Sequence, residues 1–141
     1  MRIEASFISD GAFTPGLITC SEFSLLRHIY FLLDTGSAIS ALSVKDVGGF
    51  IDYSGFEKKT EAAIGVGGSL ECFLIHDIIL YLFSTQQSWV KVKKFDSMCL
   101  LPFSTDRKTN KRIFLPSIIG RDIIGIDFDL IYTRKGIYLE S

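Results

Sequence analysis

The stretch that decides the fold is Ile29-Tyr-Phe-Leu-Leu-Asp-Thr-Gly-Ser37, an apolar run that ends in a polar turn. A continuous apolar run bounded by turn residues is typical of a strand that is buried on both faces. We place this strand at Leu25–Leu33, where it forms a hairpin-like pair with Leu17–Cys20. Asp34 therefore follows a core strand directly, and its carboxylate is presented in a Thr-Gly turn.

A second apolar segment, Ser117-Ile-Ile-Gly-Arg-Asp122, is also predicted to be a strand, and it ends in Gly-Arg. The Asp-Thr-Gly-Ser string, in contrast, occurs once in the chain. One polypeptide therefore carries half of any site that needs two such turns.

The composition limits which fold classes and which partners are possible for this chain. With 141 residues, 15.8 kDa and 48% hydrophobic residues, the chain is predicted to form one domain, residues 1–141, with a proper core. Twelve Phe, together with twelve Gly against three Pro, favour a β-rich domain over a helical bundle. A net charge of −1 argues against electrostatic attraction to nucleic acid or to an anionic membrane.

No metal, cofactor or targeting segment is predicted. Cys20, Cys72 and Cys99 lie far apart without a Cys-x-x-Cys pair, so we interpret them as reduced core residues. His28 and His76 have no partner at metal-binding spacing. No secretory segment follows the first residues, and no run reaches the roughly 18 apolar residues of a membrane span. We therefore expect a soluble, cytoplasmic protein.

The remaining elements are predicted to be mostly strands. Strands and hairpins are expected at Arg2–Ile8, Ala62–Ile75, Ile78–Phe83, Trp89–Phe95, Leu100–Phe103, Ile113–Ile119 and, as a closing hairpin, Phe128–Tyr132 with Ile137–Leu139. Glu57–Glu61 is interpreted as a polar connector and 104–112 as an exposed loop. Two short helices are predicted, one at Ser43–Val47 with Ser43 as its cap and one from about Arg121 to Ile126.

The order of these motifs, from about Leu32 to Leu139, resembles the retropepsin-like aspartic proteases. The closer likeness is to the single-domain cellular and prokaryotic members of that family. The resemblance implies an all-β, closed barrel with one short C-terminal helix, equivalent to half of a pepsin-type bilobed enzyme. It also implies a homodimer in which Asp34 of each chain faces its copy across a two-fold axis, and hydrolysis of a peptide or protein substrate.

The same resemblance assigns roles to the turn residues. Asp34 is the catalytic carboxylate, and the hydroxyl of Thr35 bonds across the dimer to brace the two active-site loops. Gly36 lets the backbone approach the carboxylates closely. The hydroxyl of Ser37 is expected to donate to the outer oxygen of the carboxylate, although a Ser that only caps the turn is the alternative.

The glycine-rich segment Gly65-Val66-Gly67-Gly68 resembles the flap of these enzymes, a hairpin tip that grips an extended peptide. An ordinary hairpin turn is the alternative. A phosphate-binding loop is disfavoured, because position 70 is Leu and no Gly-Lys-Ser/Thr follows.

The pocket walls and the structural support are also assigned by resemblance. Leu32, Pro116 and Ile118, with Val66 of the flap, match positions that line the pockets beside the scissile bond. Gly120 and Arg121 match a structural Gly-Arg pair, in which the arginine ties the closing helix to the active-site loop. The acid that usually pairs with this arginine is replaced by Ala38 or Ile39, so its partner is either another acid or backbone carbonyls.

Two further classes of function stay open at this point. The chain could be a dimeric module that binds extended peptides or proteins with little or no proteolysis, since a fold does not fix a function. It could also be an assembly subunit whose barrel serves only for dimerisation. The intact Asp-Thr-Gly-Ser string favours the enzyme.

Overall fold

A computed structural model describes residues 1–47, 55–62 and 69–141 of the chain. In these ranges the polypeptide consists mainly of strands, as the composition predicts. The strands and the helix are β1 (Arg2–Ile8), β2 (Gly11–Cys20), β3 (Leu25–Leu33), β4 (Ala41–Ser43), α1 (Val44–Val47), β5 (Lys58–Ala62), β6 (Ser69–Phe83), β7 (Trp89–Leu101), β8 (Ser104–Thr105), β9 (Arg112–Ile113), β10 (Ile118–Ile119), β11 (Asp129–Thr133) and β12 (Gly136–Glu140).

Ten of these strands form one sheet, in the order β11-β12-β1-β2-β3-β10-β4-β7-β6-β5. Strand β2 also pairs with β6, opposite Gly16 to Cys20, so six strands close into a ring: β2, β3, β10, β4, β7 and β6. The short strands β8 and β9 form a separate pair at the base of the exposed loop predicted at 104–112.

Several predicted elements are confirmed. The opening strand and the strand that leads to Asp34 have the predicted bounds, and the closing hairpin forms as β11 and β12. Helix α1 begins one residue after Ser43, whose Oγ accepts a hydrogen bond of 3.1 Å from the backbone N–H of Lys45. Ser43 is thus the predicted cap, because its side chain satisfies a donor that the first turn of a helix leaves free.

The core lies inside the ring of strands. Its largest buried side chains include Phe31 of β3, Ile18 of β2 and Leu80 of β6. A smaller cluster packs between β4, β6, β7 and β10, and its buried members are Ala41, Cys72, Cys99, Leu101 and Ile118. All three cysteines are buried, as predicted. Burial raises the pKa of the Cys20 thiol above its usual value, which keeps the thiol protonated at neutral pH.

The prediction of a short helix at Arg121–Ile126 is wrong, because this segment folds as consecutive turns. The N–H of Ile124 donates to the carbonyl of Gly120 at 2.9 Å, and the N–H of Asp127 donates to the carbonyl of Ile123 at 2.9 Å. Between these turns Gly125 has φ +87°, a left-handed conformation that ends a right-handed turn. No helix in the described ranges is long and apolar enough to cross a membrane.

Two further expectations about strands are also wrong. Strand β3 is not buried on both faces, since Leu26 is 65% and Tyr30 is 54% exposed. In the described part of the chain no layer covers its outer face. An apolar run in the sequence does not show whether one face of a strand is covered or both. The supposed polar connector at Glu57–Glu61 belongs largely to β5, which pairs with β6 from Lys58 opposite Phe73 to Ala62 opposite Ser69.

Candidate active site

Asp34 is anchored through its backbone. Strand β10 lies parallel to β3, with Ile118 opposite Leu32. The N–H of Leu32 donates to the carbonyl of Ser117 at 2.9 Å, and the N–H of Asp34 donates to the carbonyl of Ile119 at 3.0 Å. The strand that leads to the carboxylate is therefore fixed by β10, a strand that is distant from it in the sequence.

The Asp34 carboxylate is oriented by the turn that follows it. The backbone N–H of Gly36 donates to Asp34 Oδ1 at 2.9 Å, and the N–H of Ser37 donates to the backbone carbonyl of Asp34 at 3.2 Å. This is an Asx-type turn, in which the side chain of an aspartate bonds the backbone two residues later. The other carboxylate oxygen, Oδ2, has no donor among the described residues, and the side chain is half-buried.

The expected hydrogen bond from Ser37 to the carboxylate is absent. Ser37 is fully buried, and its Oγ donates to the carbonyl of Ile39 at 2.7 Å. A hydroxyl has one proton to donate, so this bond occupies it. Ser37 therefore stabilises the interior of the loop, which is the capping role that sequence reasoning kept as the alternative.

Arg121 bonds a backbone carbonyl, one of the two partners that the sequence left open. Its Nη1 donates to the carbonyl of Thr35 at 3.4 Å, and its N–H donates to the carbonyl of Ser37 at 2.9 Å. The predicted tie between this arginine and the loop is thus present, although it begins in a turn rather than a helix. The side chain of Thr35 is exposed, and its bond across a dimer stays a prediction.

Sequence reasoning missed the strongest link between the two segments, which joins Ser40 and Asp122. The N–H of Ser40 donates to Asp122 Oδ2 at 2.9 Å, and its Oγ donates to Asp122 Oδ1 at 2.6 Å. The same Oγ accepts a bond of 3.0 Å from the N–H of Gly120. Bonds to a carboxylate are stronger than neutral ones. The only signal in the sequence was an acid directly after the Gly-Arg pair.

Gly120 has a structural role, as predicted. A Cβ at this position would lie 2.4 Å from the carbonyl oxygen of Ile39 and 2.9 Å from that of Ser37. Both are backbone atoms held by the turn, so neither moves easily. The close approach of the two segments therefore requires glycine.

Of the predicted pocket walls, Leu32 lines an open cleft. This cleft has a volume of about 350 Å³ and is lined by Ile8, Ser9, Asp10, Gly11, Phe13 and Leu32. Leu32 and Asp34 are two positions apart on one strand and so point to the same side of it. The cleft is therefore on the side of the strand that carries Asp34, although Asp34 is not one of the residues that line it, and it is mostly apolar with one acid, Asp10, at the β1–β2 turn.

The other predicted wall residues are placed differently. Ile118 is 5% exposed, because its side chain packs in the smaller core cluster with Ala41, Cys72, Cys99 and Leu101. The expectation that Ile118 lines the pocket is therefore wrong in the single chain. Pro116 is half-buried and does not line the cleft of Leu32.

The tip of the predicted flap lies outside the described residues. This holds for Gly65, Val66, Gly67 and Gly68. The two arms are described: β5 and β6 pair in antiparallel fashion up to Ala62 opposite Ser69. The predicted hairpin is thus present up to the last residues before the tip.

Neither models of known protein families nor curated protein sequences match this chain. Within residues 1–47, 55–62 and 69–141, no group of three His, Cys, Asp or Glu side chains is arranged to hold a metal ion. The geometry around Asp34 is therefore the basis for assigning a function.

Proposed function

We propose that the chain is a retropepsin-like aspartic endopeptidase that is active as a homodimer. The observation that carries the proposal is the Asp34 carboxylate. One oxygen is fixed by the N–H of Gly36, the other has no donor among the described residues, and an apolar cleft lies on the same side of the strand. The closed ring of six strands supports the barrel that this class of fold requires.

The chemistry follows from placing two such carboxylates together. Two carboxylates within hydrogen-bond distance do not both ionise easily, so they share one proton and titrate as a pair. The ionised member takes a proton from a water molecule as that water attacks the scissile carbonyl. The protonated member donates to the carbonyl oxygen of the tetrahedral intermediate. Asp34 of each chain supplies one of the two groups.

The surrounding residues position the carboxylate rather than react. Gly36 orients Oδ1. The bond that Arg121 donates to Thr35 and the bonds that Asp122 accepts from Ser40 hold the loop from the outside. Preorganised polar groups of this kind lower the barrier because they need not rearrange as charge develops. Leu32 contributes an apolar wall beside the reacting bond.

Inhibitor titration with hydrolysis assays tests the proposal. A pepstatin-type transition-state mimic is expected to bind at one molecule per two chains, because two half-sites form one dyad. Asp34→Asn is expected to abolish both tight binding and hydrolysis of a peptide library, whereas the exposed Asp96→Asn leaves them unchanged. Hydrolysis by the Asp34→Asn protein would refute the assignment. Peptide binding without hydrolysis in the wild type would favour the binding module.

A further inference from the structure

Strand β11 forms one end of the ten-stranded sheet. It pairs with β12 on one side only, from Asp129 opposite Glu140 to Thr133 opposite Gly136. Hydrogen-bonded and non-hydrogen-bonded positions alternate along an antiparallel ladder, so every second residue of β11 directs its N–H and C=O away from β12. In the described part of the chain no strand forms hydrogen bonds with these groups.

The centre of this edge carries little protection against pairing with another chain. Exposed edges are commonly guarded by a charged residue, Pro or a bulge, and in β11, Asp-Leu-Ile-Tyr-Thr, the charged residue Asp129 stands at the first position, before Leu130, Ile131 and Tyr132. Large apolar side chains are exposed beside it. Tyr132 is 71% and Phe7 is 58% exposed, and their rings pack edge to face with centroids 5.9 Å apart. An edge of this kind is typical of a surface that a partner covers.

The first and last strands are not available for exchange with a partner. Strands β1 and β12 pair with each other from Arg2 opposite Glu140 to Ala5 opposite Ile137. An ion pair of 3.4 Å joins Arg2 to Glu140, and the N–H of Ser141 donates to the carbonyl of Met1 at 3.0 Å. A dimer that interleaved these strands would first have to break these contacts. Strand β11 is free to pair without such a loss.

The start of β11 is joined to the active-site loop through the chain. Two consecutive turns lead from Arg121, which bonds the carbonyl of Thr35, to Asp129 at the start of β11. At the other end of the strand, Tyr132 contacts Phe7, the neighbour of Ile8, and Ile8 lines the cleft with Leu32. In the sheet, strands β12, β1 and β2 lie between β11 and β3.

The charges along the hairpin favour a second copy in antiparallel orientation. Asp129 at the start of β11 is acidic, and Arg134 and Lys135 at the hairpin tip are basic. All three side chains are exposed. Antiparallel pairing of β11 with itself brings the acidic start of each copy beside the basic tip of the other. Parallel pairing would place like charges together, which is destabilising.

We propose that a second copy of this chain pairs along β11, strand to strand and antiparallel, about a two-fold axis near Ile131. The pairing forms one continuous sheet through both chains, and the exposed rings of Phe7 and Tyr132 are covered by the partner. The role of this seam in bringing the two Asp34 side chains together rests on the proposed function. The seam itself does not depend on catalysis.

The first test is the self-association of edge variants. The wild type is expected to sediment as a dimer, and Tyr132→Lys is expected to raise the dimer dissociation constant by at least about tenfold, as for a central aromatic contact residue. The control is Tyr30→Lys, which changes a ring that is 54% exposed on the outer face of β3 and is expected to leave the dimer intact. A wild type that stays monomeric, or a Tyr132→Lys dimer as stable as the wild type, would overturn the seam.

The second test keeps the proposal falsifiable if Tyr132→Lys does not fold. Two-fold antiparallel pairing places one residue of β11 opposite its own copy, with Cβ atoms about 4.5–5.5 Å apart. Among the separate variants Leu130→Cys, Ile131→Cys and Tyr132→Cys, at least one is expected to give a covalent dimer with oxidised glutathione. Lys91→Cys on β7 is expected to give none. Absence of a cross-link at all three positions would overturn the seam.

Different experimental outcomes refute the proposed peptidase and the proposed β11 seam. A dimer that depends on Tyr132 but neither binds the transition-state mimic nor hydrolyses peptides would keep the seam and refute the peptidase. Dilution-dependent hydrolysis that Tyr132→Lys does not alter would keep the peptidase and refute the seam.

Discussion

At the scale of single residues, Gly120 is the position that tolerates least change. Gly120→Ala would force a methyl group against two backbone carbonyls, and we expect it to lower the free energy of unfolding by about 1–3 kcal/mol or more. Urea unfolding measures this. Gly55→Ala is the control, because a Cβ there meets nothing within 4 Å. Equal unfolding midpoints for the two variants would contradict the close approach.

Ser37 provides a second prediction at this scale. Ser37→Ala removes the donor to the carbonyl of Ile39 inside the loop, and we expect a loss of about 1–3 kcal/mol of stability, since a buried acceptor is left unpaired. The pH profile of kcat/KM is expected to keep its shape, because the hydroxyl does not contact Asp34. The exposed Ser97→Ala is the control for stability. A profile displaced along the pH axis without loss of stability would favour a direct bond to the carboxylate.

At the scale of elements, the Ser40–Asp122 link joins the active-site loop to the turn after β10. Asp122→Ala leaves two donors of Ser40 without acceptors, so we expect a loss of about 3 kcal/mol of stability and a lower kcat. The matched control is Asp127→Ala in the next turn. Its exposed ion pair with Lys93, at 3.7 Å, is worth less than about 1 kcal/mol. Similar unfolding free energies for the two variants would show that the link is weak.

The elements also show which parts of the fold a sequence reveals. Strands β1 and β3 and the closing hairpin were predicted because alternation and turn residues are local signals. Strand β5 was missed, since its pairing with β6 is a contact between two segments that the polar sequence at Glu57–Glu61 does not specify. The helix at Arg121–Ile126 was predicted from local pattern, but Gly125 adopts a left-handed conformation that interrupts it.

In the candidate site, too, the local features were predicted and the contacts between distant segments were not. The position of Asp34 at the end of a core strand followed from its immediate neighbours. The partners of Ser37 and Asp122 depend on contacts between distant segments, which no local pattern specifies. The burial of Ile118 likewise results from its packing in the smaller core cluster, and only the assembled sheet determines it.

At the scale of the whole molecule, the two-chain site predicts how mixtures behave. If wild-type and Asp34→Asn chains exchange freely at equal amounts, active dimers fall to about one quarter of all dimers, because both chains must carry the carboxylate. Hydrolysis per wild-type chain should therefore fall to about half of its value without the variant. Adding Asp34→Asn that also carries Tyr132→Lys is the control, and it is expected to inhibit much less. If hydrolysis per wild-type chain does not change when the variant is added, the site is complete within one chain.

The link between Ser40 and Asp122 spans 82 positions of the chain and so also sets when the site is assembled during synthesis. A ribosome that adds about 5–20 residues per second needs roughly 4–16 s to make the stretch between them. During that time the Asp34 loop has neither the β10 strand nor the turn that holds it. A nascent chain of this protein therefore carries the Asp34 carboxylate before residues 118–122 have been made, and the site becomes ordered only after they have been added. Synthesis of the carboxylate and the onset of the proposed activity are thus separate events.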